Sequence, residues 1–182
     1  MRKIAISDIH GCAAELDRLL EKTKAVAGEI IFLGDYVDTG PNSLDVAERV
    51  GEWCSQGATA LLGNHDDLFL RWLEGKEIIY FYGKTGGIAT INSFLDRIEF
   101  ERVEYTQLLH DENKENDIRK RSKIIFSIRF PSCNPARYLN RNQILFLSMR
   151  ESIRRKGWKK QLGQSFSIFG TNLFMNTMAK RR

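Results

Sequence analysis

The sequence predicts an α/β fold built on a parallel sheet. Three short apolar runs recur early in the chain: Lys3-Ile4-Ala5-Ile6-Ser7, Glu29-Ile30-Ile31-Phe32-Leu33 and Ala58-Thr59-Ala60-Leu61-Leu62. Amphipathic segments separate them, and a cluster of polar residues and glycine follows each. Near-continuous apolar runs of this length read as strands buried on both faces. Strands alternating with helices imply right-handed crossovers and parallel pairing.

The first run ends in Asp8-Ile9-His10-Gly11. Residues 13–24 then place Leu16, Leu19 and Leu20 on one helical face. The second run ends in Gly34-Asp35-Tyr36-Val37-Asp38-Thr39-Gly40. Behind Pro41, Asn42 or Ser43 suits the N-cap of a helix over 43–54, with Leu44, Ala47 and Val50 on one face. The third run ends in Gly63-Asn64-His65-Asp66. Residues 66–110 read as mostly helical with a glycine break at 83–87, and Tyr80-Phe81-Tyr82 as core or cap packing rather than a substrate platform. Residues 111–123 are polar and charged and read as a loop or disordered joint. Residues 123–128 read as a strand, 146–160 as a basic helix and 165–169 as a last strand.

The 182 residues are 42% hydrophobic and 28% charged, which suits one soluble domain and excludes a wholly disordered chain. No apolar run approaches the roughly 18–20 residues that span a bilayer. The N-terminus reaches Asp8 before a signal-like apolar region develops, so the expectation is a cytoplasmic protein. Cys12, Cys54 and Cys133 form no close pair and read as thiols, not as a disulfide framework or thiolate zinc site. The net charge of +5 hides a split. Residues 1–117 carry 12 Lys and Arg against 22 Asp and Glu, whereas residues 118–182 carry 16 against one acid, Glu151. The basic tail (Arg154-Arg155-Lys156, Lys159-Lys160, Lys180-Arg181-Arg182) allows a nucleic-acid-binding reading, but a solvated tail accounts for it better, and no nucleic-acid partner is expected.

Open α/β sheets bind ligands at the carboxyl ends of their strands, where the three polar clusters fall. Asp8, His10, Asp35 and Asn64 are oxygen and imidazole donors. The alternation of an extended chain puts Asp8 and His10 on one side, where they can grip one cation. Asp35 can bridge two cations, and Asn64 offers an amide oxygen to the second. Without thiolate, the set suits manganese, iron, zinc, nickel or magnesium. Two cations about 3.5–4 Å apart clamp a phosphate and lower the pKa of a bridging water. His65 is placed to protonate a leaving oxygen, and Asp38 to orient His65 and hold it charged. Asp66, Asp67, Cys12 and Tyr36 read as supporting or surface residues.

Together, Asp8-Ile9-His10-Gly11, Gly34-Asp35-Tyr36-Val37-Asp38-Thr39-Gly40 and Gly63-Asn64-His65-Asp66 resemble the first three motif blocks of the calcineurin-like metallophosphoesterases. The resemblance covers residues 1–100 and is closest to the small bacterial serine/threonine protein phosphatases and their diadenosine-tetraphosphatase relatives. It implies a hydrolase of phosphoric esters with two divalent cations, manganese foremost. It also implies a four-layer α/β/β/α sandwich, here with an incomplete second sheet. The implied substrate is a phosphorylated protein, or a small phosphoester or dinucleotide.

Two departures stand out. Thr39 replaces an arginine that binds substrate phosphate in the family, and it has neither charge nor a bidentate donor. The family also takes two further histidine ligands from later blocks, one of them in a Gly-His pair. After His65 this chain has only His110, which reads as a surface or helix-end residue. The second cation site is therefore expected to be impaired, and an inactive or weakly active relic is the alternative reading.

Reverse translation bears on this. In a frame shifted by one base, the codons for Thr171-Asn172-Leu173 permit His-Lys-Pro directly after Gly170, which would restore the lost block. Residues from about 127 are accordingly read as partly out of frame, with the charge break as a by-product. Residues 1–117 match the family pattern well, and 118–182 are the aberrant part of a single domain.

Overall fold

The computed structural model describes residues 3–129 and 166–169. Four strands, β1 (Lys3–Ile6), β2 (Ile30–Phe32), β3 (Thr59–Ala60) and β4 (Phe166–Phe169), form one sheet in the order β3-β2-β1-β4. Every pairing is parallel, with Ile4 opposite Ile30 and Ser167, and Ile31 opposite Thr59. All four of the expected strands near these positions are present, β3 at only two residues. A further bond from Leu61 N–H to the Phe32 carbonyl extends its pairing before the chain turns into the third cluster.

Between the strands lie α1 (Ala13–Thr23) and α2 (Ser43–Ser55). Leu16 and Leu20 of α1 and Leu44 and Val50 of α2 are buried, as their spacing predicts, whereas Leu19 and Ala47 are only half-buried and Val46 is buried as well. Asn42 occupies the N-cap of α2, although its side chain makes no capping bond. Ile4, Ile6, Ile30 and Phe32 are at most 2% exposed, and each such side chain contributes about 1.5–3 kcal/mol by leaving water.

The helical region follows as α3 (Asn64–Leu73), α4 (Ile79–Tyr82), a wide turn over Gly83–Gly87, α5 (Ile88–Asp96) and α6 (Tyr105–His110). The break falls where expected, and Gly86 makes it with φ of 95°. Of the aromatic run, Tyr82 is fully buried, while Tyr80 and Phe81 are exposed.

Two expectations fail together. Residues 111–123 are not a loop, and 123–128 are not a strand. From residue 112 on, both belong to one long helix, α7 (Glu112–Arg129), packed on α3, α5 and α6. Its buried residues are Glu115, Ile118, Ser122, Ile125 and Phe126, spaced as one helical stripe. Tertiary burial of that narrow stripe overrides the polar composition that suggested a joint. Ile124 and Ile128, which made the segment look like a strand, remain exposed. Glu115 accepts from Trp72 Nε1 at 3.1 Å and pairs with Arg119, so the buried carboxylate is satisfied.

Among the described residues no helix is long and apolar enough to cross a membrane. Cys12 and Cys54 are thiols. Cys133, the basic segment 146–160, Gly170-Thr171 and the basic C-terminal clusters lie outside the described residues.

Candidate active site

Parallel pairing sends the chain out of β1, β2 and β3 at the same sheet edge. The first two exits are zipped together by backbone bonds from His10 N–H to the Asp35 carbonyl, 3.0 Å, and from Gly11 N–H to the Tyr36 carbonyl, 2.8 Å. Side chains could not fit between the loops at the closest points. A Cβ on Gly40 would overlap the His10 carbonyl oxygen, and one on Gly63 would overlap the Asp35 carboxylate.

This crowding brings one ligand atom each from Asp8, His10 and Asp35 within 4.8 Å of one another. The route is not the one the sequence suggested. Asp8 and His10 both adopt left-handed backbone, φ 55° and 46°, rather than an extended chain. Their side chains converge because the turn is tight. Asp35, Asp38 and Thr39 are also left-handed, at 59°, 71° and 63°. Non-glycine residues hold such conformations only where the surroundings over-determine them, and these gather at functional sites.

The donor atoms are disposed for a cation. His10 Nδ1 lies 2.8 Å from the Val37 carbonyl, which can only accept. The proton is therefore on Nδ1, and the Nε2 lone pair is left for a metal. Asp35 Oδ1 accepts from the His65 backbone N–H at 3.1 Å, which orients its carboxylate. Asn64 begins α3 beside this group and is exposed.

His65 and Asp38, paired from sequence, are joined. His65 Nδ1 donates to Asp38 Oδ2 at 2.8 Å, and Asp38 is wholly buried. That bond, opposed by desolvation, raises the imidazole pKa and favours its charged form. The His10 and His65 rings meet edge to face at 4.7 Å, so the clustered Asp8, His10 and Asp35 donors and the Asp38–His65 pair lie at one place. His110 is exposed at the last residue of α6, as expected of a helix-end histidine.

Three supporting residues carry no site role in the sequence reading, which has Ser43 as a cap candidate and Tyr82 as packing. Tyr82 and Thr90 both bond the Asp38 carboxylate. They lie far from it along the chain, and a tyrosine and a threonine in a helical region carry no signal of such a role. Ser43 bonds Thr90 in turn at 3.1 Å.

Of the two readings of Asp66, supporting or surface, the supporting one holds, and the residue is buried. Its carboxylate accepts from the backbone N–H groups of Asp35, Tyr36 and Gly63, at 2.8, 2.9 and 2.9 Å, and so ties the second cluster to the third. Burial nonetheless pushes its pKa up to about 6, against those three bonds. The unfolded chain keeps the ordinary value of 3.8. The native state thus holds an extra proton between these values. Its stabilising effect is full below the unfolded pKa and is lost as pH rises through about 6. Urea midpoints of wild type and Asp66→Asn check this. The gap between them is expected to move toward wild type from pH 7 to pH 5, and an equal gap at both overturns it.

Comparison with known proteins fits this geometry. The calcineurin-like phosphoesterase family matches residues 1–147. The chain belongs to that family. The match continues past the point where the charge balance changes. Among curated relatives, it is similar to a symmetrical bis(5'-nucleosyl)-tetraphosphatase from Janthinobacterium sp. (strain Marseille), 43% identical over 68 residues. That segment covers 36% of this chain and 24% of the relative. It is also similar to the asymmetrical bis(5'-nucleosyl)-tetraphosphatase PrpE of Bacillus velezensis, 32% identical over 110 residues, 53% of this chain and 44% of that protein. The matched segments thus span less than half the length of either relative.

The calcineurin-like phosphoesterase family implies divalent cations, and the residues present fit one. The clustered donors are hard oxygens and an imidazole, within reach of one ion and without thiolate.

Proposed function

We propose that this chain hydrolyses phosphoric esters or anhydrides with the help of divalent cations. The observation that carries the reading is the convergence of Asp8, His10 and Asp35 within 4.8 Å, beside the Asp38–His65 pair. Asp8, His10 and Asp35 would hold cations, with Asn64 contributing its amide oxygen. Bound cations, manganese foremost, would supply Lewis acidity and a nucleophile at neutral pH. His65 protonates the leaving oxygen, since its Nδ1 is engaged by Asp38 and its Nε2 is the remaining proton carrier. Asp38 keeps that ring charged and oriented. Thr39 offers a hydroxyl and a backbone bond to the Gly86 carbonyl where the family has a phosphate-binding arginine, so phosphate contacts rest on the cations and His65.

The substrate we favour is a dinucleoside polyphosphate, because the similar curated proteins are bis(5'-nucleosyl)-tetraphosphatases. A phosphoprotein substrate, suggested by the resemblance to protein phosphatases, is the competing choice. Family membership also supports a four-layer α/β/β/α sandwich in which the described sheet is one half.

A second reading, an inactive or weakly active relic, is favoured by the histidine count. The sequence has three histidines, two are in the site, and His110 stands exposed at the end of α6. Turnover of p-nitrophenyl phosphate, a dinucleoside tetraphosphate and a phosphopeptide, with manganese titrated alongside, separates the readings. Hydrolysis that disappears on chelation is the expected result, and a second ion bound per chain would show that other groups replace the missing histidines. Absence of turnover with one ion or none bound supports the relic.

A further inference from the structure

We propose that Tyr82 and Thr90 are positioning residues that lock the Asp38 carboxylate, and through it the His65 ring, in a single orientation. The geometry stands by itself, but its catalytic meaning rests on the phosphoesterase reading above.

Asp38 is 0% exposed, and each of its oxygens has a separate task. Oδ2 accepts from His65 Nδ1. Oδ1 accepts from the Tyr82 hydroxyl at 3.0 Å and the Thr90 hydroxyl at 2.8 Å. The terminal torsion of an aspartate is broad and roughly two-fold, so a carboxylate bonded only to His65 could turn and present either oxygen. Two donors on Oδ1 remove that freedom.

Thr90 also grips the backbone. The Asp38 N–H donates to Thr90 Oγ1 at 2.8 Å, while the single Thr90 proton goes to Oδ1. The Ser43 hydroxyl, 3.1 Å away, must then be the donor to Thr90. One hydroxyl thus holds both the main chain and the side chain of a residue at φ 71°, a conformation that needs such over-determination.

The Tyr82 ring is fixed as firmly. It stacks on Trp72 with centroids 5.4 Å apart. On another side it occupies the space that a Cβ on Gly87 would take, 2.5–2.6 Å from three ring atoms. Burial and the nearby Asp38 charge keep the phenol protonated, so it remains a donor. Tyr82 and Thr90 act on the leaving group only through Asp38 and His65, which is why they are positioning rather than catalytic residues.

The test reads the Asp38–His65 bond directly. The chain has three histidines, so ¹⁵N-histidine labelling gives a small, assignable set of imidazole signals. The metal-free full-length protein is expected to show a downfield Nδ1–H signal that vanishes in His65→Gln. In Thr90→Val and Tyr82→Phe that signal is expected to move upfield or broaden as the ring gains freedom, and in Thr90→Ser to return. Tyr82→Phe removes one oxygen and keeps the ring, so it decides the matter even if Thr90→Val does not fold. A folded Tyr82→Phe whose signal is unchanged overturns the proposal.

The second arm is kinetic. Positioned general acids supply about 100-fold or more, most for leaving groups that need the proton. The rate for phenyl phosphate relative to p-nitrophenyl phosphate is expected to fall about 10-fold in Tyr82→Phe, a part of that contribution. An unchanged ratio overturns the catalytic meaning. Absence of turnover in the wild type would sink the phosphoesterase reading and leave the spectroscopic result to judge the positioning.

Discussion

Changing Asp35 to asparagine is expected to lower cation-dependent hydrolysis by more than about 100-fold, the upper end of what losing a residue that merely supports a metal ligand costs. The substitution preserves size and leaves one oxygen able to accept the His65 backbone N–H, now bonded at 3.1 Å. It removes the negative charge from the most buried member of the Asp8–His10–Asp35 group, where Asp35 is 8% exposed. A charge that faces a cation in a poorly solvated site counts for more than one in water. Calorimetric titration with manganese is expected to show weaker binding in step with the loss of rate. Wild-type cation affinity in a folded Asp35→Asn protein would remove Asp35 from the metal site.

The second large effect concerns the framework. Trp72→Ala is expected to destabilise the protein by about 3–5 kcal/mol, against a total of about 5–15 kcal/mol for a typical domain. Trp72 is wholly buried, stacks on Tyr82 and Phe69, and donates to the buried Glu115 of α7. Alanine leaves a cavity and takes a donor from that carboxylate, which Arg119 alone then satisfies. Urea unfolding is expected to show a midpoint lower by about 1 M or more, given slopes of about 1–3 kcal/mol/M. Because Trp72 also backs the Tyr82 ring, the His65 Nδ1–H signal should move in any fraction that stays folded. A loss near 1 kcal/mol would mean that α7 does not pack on Trp72 as described.

The strand and helix alternation was readable because its signals are local. A buried strand such as Ile30–Phe32 needs only an apolar run, and α1 needs only leucines at helical spacing. The residues of α7 depart from their sequence pattern for a related reason. Composition over 111–123 is dominated by charge, whereas the stripe of Glu115, Ile118, Ser122, Ile125 and Phe126 is narrow and contains a buried acid. The stripe is there to be found by period, but a carboxylate counts as core only once Trp72 and Arg119 are beside it.

The same division runs through the site. Asp8, His10, Asp35, Asp38, Asn64 and His65 could be nominated because their residue types are chemically distinctive and each cluster follows an apolar run. The manner in which Asp8 and His10 converge could not, since left-handed backbone at both depends on the neighbouring loop holding their N–H groups. Nor could the depth of Asp66, whose carboxylate has three backbone donors drawn from two segments.

By itself, then, the sequence determined the parallel α/β frame, the sheet edge at which the polar clusters gather and the donor types offered there. These follow from periodicity and residue chemistry, which act over a few positions. Only the tertiary structure decided that Asp38 is dry, that Tyr82 and Thr90 share one of its oxygens, and that α7 closes the core beneath Trp72. Those outcomes depend on distances between residues tens of positions apart, and only the packed chain sets such distances.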